Sequence, residues 1–161
     1  MRLLLLCIVL APVAIAAEAI PVDVCATLRD PAKVAGKMVL VNGFIKPLMH
    51  GTYLKHPNCD GSILLVLPEE VPDYKGGIKV VKDAQFELFL DARFNHLPDA
   101  PVFFAEFVGQ LEYAKGGKGF GYNKNHRTRL ILQSVKNARS GPAGAGYEPA
   151  PAIPPENAKE P

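Results

Sequence analysis

The sequence predicts a mainly β domain with one or two helices, an α+β arrangement. Three observations predict it. Short runs rich in β-branched and aromatic residues recur between Gly, Pro, Asn and Asp clusters. One run, "VFFAEFVGQLEY", alternates in a way only a strand with one buried face requires. Two segments instead place apolar residues at helical spacing behind an aspartate able to cap them.

Taken in order, "VDVCATLRDPAKVAGK" opens on Asp23, an N-cap residue, followed by Val24, Ala26 and Leu28. Asp30-Pro31 ends that helix, because the residue before proline avoids the α region. "MVLVNGFI", residues 38–45, is a strand with Val39, Val41 and Ile45 on one face. Gly43 interrupts it, as a bulge or tight coil would require. "GTYLKH" and "SILLVL", separated by the turn formers of "PNCDG", read as a hairpin.

Residues 83–94, "DAQFELFLDARF", fit both periods. As a helix they bury Phe86, Phe89, Leu90 and Phe94; as a strand, Phe86, Leu88, Leu90, Ala92 and Phe94. Length and the Asp83 cap favour the helix. The "VFFAEFVGQLEY" strand then turns Phe103, Ala105, Phe107, Gly109 and Leu111 one way and Glu106, Gln110 and Glu112 the other. "RTRLILQSV" supplies a last strand, Leu130 and Leu132 on one side, Arg129 and Gln133 on the other.

Three strands, a helix and two further strands are the chain order of the OB-fold. The expected domain is therefore an OB-like five-stranded barrel with a short N-terminal helix. The stretches "VCATLRDPAKVAGKMVLVNGFI", "HPNC", "FFAEFVGQLE" and "GFGYNKNHRTRLILQSV" also resemble a group of small exported bacterial proteins of unknown function, over residues 22–137. That resemblance implies an OB-like barrel and brings no catalytic or ligand residues. Tyr122 stands where the group carries a histidine.

Outside the domain, Arg2 followed by "LLLLCIVLAPVAIA" has the charged start and short apolar middle of a secretory signal. Cleavage after Ala16 or Ala19 is expected, the second being preferred because the chain turns into ordinary polar sequence soon after it. The organisation is then a signal peptide at 1–19, a globular domain at 20–138 and a disordered Pro/Ala-rich tail at 139–161. The mature chain is expected in the periplasm or secreted, with no transmembrane anchor.

Two cysteines remain after the signal, Cys25 and Cys59. An even count in an oxidising compartment reads as one disulfide, which stabilises by about 3 to 4 kcal/mol in the chain-entropy model. Neither cysteine has a CxxC partner, and His50, His56, His96 and His126 show no ligand spacing, so no metal and no cofactor are expected.

The formal charge of the 161 residues is only +2. Against that near-neutrality, residues 113–129, "YAKGGKGFGYNKNHRTR", hold five Lys or Arg and no acid. In an OB barrel this is the connection between the fourth and fifth strands, used to contact oligonucleotides and oligosaccharides. The candidate binding residues are Lys118, Phe120, Tyr122, Lys124, Arg127 and Arg129, the aromatics to stack and the cations to follow a charged polymer. The bland alternative is a solvated strand connection. Replacing the four cations Lys118, Lys124, Arg127 and Arg129 with Gln is expected to abolish binding with little change in melting temperature.

Sharper chemistry has no support in the pattern. Lys115 and Lys118 do not complete a P-loop, and "GKGFGY" lacks the G-x-G-x-x-G order. His126 with Ser134 or Cys59 makes no triad that sequence can specify, and scattered carboxylates specify no acid–base pair. The expected function is thus a non-catalytic binding or structural module of the bacterial envelope. Its expected partners are an anionic glycan, lipopolysaccharide or an envelope protein, since an exported chain rarely meets nucleic acid. A small periplasmic hydrolase and a protein–protein interaction module are the alternatives.

Overall fold

A computed structural model describes residues 18–48, 50–72, 74–94 and 101–141. The expected signal segment, up to residue 17, and the expected tail beyond residue 141 lie outside the described residues. The elements are β1 (Ile20–Val22), α1 (Val24–Arg29), β2 (Met38–Leu48), β3 (Gly51–Lys55), β4 (Ile63–Val66), α2 (Ala84–Phe94), β5 (Val102–Tyr113) and β6 (Thr128–Gly141). No helix among the described residues is long and apolar enough to cross a membrane.

The strands hydrogen-bond in the order β1-β2-β3-β4-β6-β5, and β5 returns to pair with β2. That last pairing closes β2 to β6 into a five-stranded barrel of OB-like order. All barrel pairs are antiparallel except β4 with β6, where Leu65 faces Leu130 in parallel register. β1 is an extra edge, parallel to β2 with Val22 opposite Val41. Three residues carry too little pattern to announce a strand, so the sequence does not announce it.

The barrel is filled from every wall. Val39, Val41 and Ile45 of β2, Leu54 of β3, Ile63 and Leu65 of β4, Phe103, Phe107 and Leu111 of β5, and Leu130, Leu132 and Val135 of β6 form one buried cluster. The predicted inward faces of β2 and β5 are the observed ones. β5 and β6 also slip register between Phe104 and Glu106 and between Val108 and Gly109, which is how long strands bend around a small barrel.

Gly43 has a different role from a bulge. β2 keeps unbroken register with β5 across it, from Met38 opposite Gln110 to Ile45 opposite Phe103. A Cβ at Gly43 would lie 2.7 Å from both the Leu54 side chain and the Lys55 carbonyl. The glycine therefore permits the close approach of β3 as β2 coils from one partner to the next.

α1 is capped as predicted, with Asp23 Oδ1 accepting the Ala26 N–H at 2.8 Å. Of the two readings of residues 83–94 the helix is the one formed, over Ala84–Phe94, and Asp83 Oδ1 accepts the N–H groups of Gln85 and Phe86 at 3.0 Å. α2 sends Phe86 and Phe89 into the core, where Phe89 meets the Phe107 ring edge-on at 6.0 Å. Each such ring contributes roughly 1.5 to 3 kcal/mol of burial.

Two expectations need correction. Phe94 is 70% exposed rather than buried. At 3.6 residues per turn the inward face after Phe86 and Phe89 falls on Arg93, which is buried and paired with Glu70 at 2.6 Å. The domain also runs past residue 138: Arg139, Ser140 and Gly141 continue β6 opposite Phe104, Phe103 and Val102. Polar composition pointed to a tail there, but a strand edge satisfies backbone groups whatever the side chains.

Candidate functional site

The β2–β3 connection and the β5–β6 connection lie side by side on the barrel. His50, from the first, stacks on Tyr122, from the second, with ring centroids 4.6 Å apart and planes within 14°. Behind them Tyr53 of β3 packs on His126 at 4.6 Å. Together with Asn123 and Asn125 these four rings line an open cleft of about 470 Å³. A second cleft of about 510 Å³, lined in part by Thr52, Glu70, Arg93, Phe94 and Arg129, shares Leu48 and His50 with the first.

The glycine-rich connection is folded rather than open. Phe120 N–H donates to the His126 carbonyl at 2.7 Å, and His126 N–H returns to the Phe120 carbonyl at 3.3 Å. Inside that bridge Gly119 N–H donates to the Lys124 carbonyl and Lys124 N–H to the Gly121 carbonyl, both at 3.0 Å. Lys124 adopts a left-handed φ of 53° to make this turn. Tyr122 sits at its tip, 76% exposed although one ring face is covered by His50.

The six predicted binding residues divide into two groups. Lys118, Tyr122 and Lys124 are exposed. Phe120, Arg129 and Arg127, the last also exposed, hold the connection together. Arg129 lies over the Phe120 ring at 4.2 Å and bonds Glu112 through Nε at 2.6 Å. Arg127 donates to the Ala114 carbonyl at 3.1 Å and lies over Tyr113 at 5.8 Å. The four-Gln replacement would thus disturb the fold as well as the surface, against the expectation of a nearly unchanged melting temperature.

Burial holds His126 below the usual imidazole range, so the neutral ring is favoured against Tyr53. Asn123, Asn125 and His126 lie within the glycine-rich connection but were not among its candidate ligands, and nothing in the sequence marked His50 or Tyr53. The OB order alone could have pointed to His50, since it places the β2–β3 turn beside the glycine-rich connection.

Cys25 and Cys59 form the predicted disulfide, with Cα atoms 5.6 Å apart. Cys59 thus offers no thiol nucleophile in this state. The fold also brings His56 to the pair, its Nδ1 3.5 Å from Cys25 Sγ, a meeting that the reading of histidine spacing did not anticipate.

No family model matches the chain, and no curated protein matches it. The site must therefore speak through its own geometry.

Proposed function

We propose that the chain is an exported, non-catalytic binding module of the bacterial envelope whose ligand is an anionic glycan lying across the β2–β3 and β5–β6 connections. One observation carries this reading: the His50–Tyr122 stack joins the two connections that OB barrels use to hold oligosaccharides and oligonucleotides. An exposed aromatic face packs on the apolar face of a sugar ring, and the Lys118 and Lys124 ammonium groups meet its sulfate, phosphate or carboxylate groups. Export rests on the charged and apolar start of the chain, with a disulfide that suits an oxidising compartment. That compartment favours glycans over nucleic acid.

The test is retention of the oxidised mature protein on heparin, used as a sulfated-glycan probe, at rising salt, beside lipopolysaccharide, peptidoglycan fragments and single-stranded DNA. Retention should weaken steeply with salt and be lost in both Tyr122→Ala and the Lys118→Gln/Lys124→Gln double variant, with unchanged melting temperatures. Equal retention of the wild type and both variants would sink the proposal.

A further inference from the structure

Cys25, on the first turn of α1, and Cys59, in the β3–β4 connection, meet beside His56, which directly follows β3. The two sulfurs and one imidazole nitrogen all lie within 4.8 Å of one another, and all three residues are half-exposed. His56 Nδ1 lies 3.5 Å from Cys25 Sγ and accepts the Asn58 N–H at 3.3 Å, a long bond that a metal ion binding the same lone pair would replace. A disulfide alone requires none of this.

We propose that Cys25, Cys59 and His56 form a redox-gated site for a soft monovalent cation, Cu(I), that exists only when the disulfide is reduced. A dithiol reductant supplies two electrons and two protons: the Cys25–Cys59 S–S bond breaks, two thiols form, and the reductant is left as its own disulfide. Cu(I) then displaces both thiol protons and binds two thiolates and His56 Nδ1, with no change in its own oxidation state. Thiolate and imidazole donors suit a soft d10 ion, and a set of three suits Cu(I) better than Zn(II), which almost always takes four ligands in structural sites.

The donors are held near one another by more than the covalent bond. Val24 is fully buried in the core beside Cys25, and the Leu28 side chain lies against Gly61 of the connection carrying Cys59. His56 also lines an open cleft of about 520 Å³ with Asp23 and Asn42, which leaves the imidazole within reach of solvent.

The experiment is competition for Cu(I) between a chromophoric chelator and the mature protein, oxidised or reduced by excess dithiol and desalted without oxygen, with circular dichroism to follow the fold. Reduced wild type should take one Cu(I) per chain from the chelator and the oxidised protein none. Cys25→Ser should take none, and His56→Ala should bind more weakly by about tenfold or more. The proposal is overturned if the reduced protein competes no better than the oxidised one, or if His56→Ala binds as tightly as wild type. It is also overturned if the reduced chain unfolds and Cu(I) does not restore it, or if Zn(II) binds while Cu(I) stays with the chelator.

Discussion

Arg129 lies with its guanidinium 4.2 Å above the Phe120 ring while also bonding Glu112, so a residue of β6 fastens the glycine-rich connection to β5. The arrangement ties a segment with four glycines between residues 113 and 129 to the barrel wall, with Tyr122 at its tip. Arg129→Gln removes both the cation–π contact and a half-buried ion pair, and should cost about 1 to 2 kcal/mol in chemical denaturation. Lys118→Gln and Lys124→Gln, which change only exposed ammonium groups, should stay within about 0.5 kcal/mol. Equal effects for all three would mean that Arg129 is a surface charge like the others.

The two faces of α2 make a sharper contrast. Phe89 is fully buried and touches the rings of Phe103 and Phe107, so Phe89→Ala should cost about 3 to 5 kcal/mol. Phe94, 70% exposed where it lines the cleft shared with Arg93 and Arg129, should lose less than about 1 kcal/mol on the same change. Urea midpoints with unchanged m-values would separate the two.

Thr27 Oγ1 is buried and has no hydrogen-bond partner among the described residues. Valine has nearly the same shape and no hydroxyl to desolvate, so Thr27→Val should stabilise the domain by about 1 kcal/mol. A lower melting temperature in that variant would show that the hydroxyl is in fact satisfied.

His126 gives the fold a pH dependence of definite sign. Its folded-state pKa lies below the unfolded value because burial disfavours the charged ring. The unfolded chain therefore binds the proton more readily, and this contribution to stability is present at neutral pH and lost as the pH falls below about 6.5. Denaturation midpoints measured from pH 8 to pH 5 should fall less steeply in His126→Asn than in wild type, whatever the variant does to absolute stability. Parallel slopes would rule this out.

Strands with one buried face were legible because alternation is a local property: Val39 and Val41, or Phe103, Ala105 and Phe107, mark their inward side wherever the strand sits. Asp23 and Asp83 marked helix starts for the same reason, since a cap acts on N–H groups two or three residues away. The order of those elements then admitted few topologies. By contrast, β1 was hidden because its pairing with β2 depends on a neighbour rather than on its own three residues.

The residues of the chain determined the barrel, the disulfide and the basic character of the connection between β5 and β6, all through composition or spacing within a few turns of chain. Tertiary structure decided which of these cations are engaged by their neighbours. Arg127 and Arg129 are recruited by Ala114, Tyr113, Glu112 and Phe120, whereas Lys118 and Lys124 remain in solvent. It also brought His50 to Tyr122, and Cys25 to His56 across 31 residues of chain. Those meetings are set by how a closed barrel folds distant turns together, and no local periodicity encodes them.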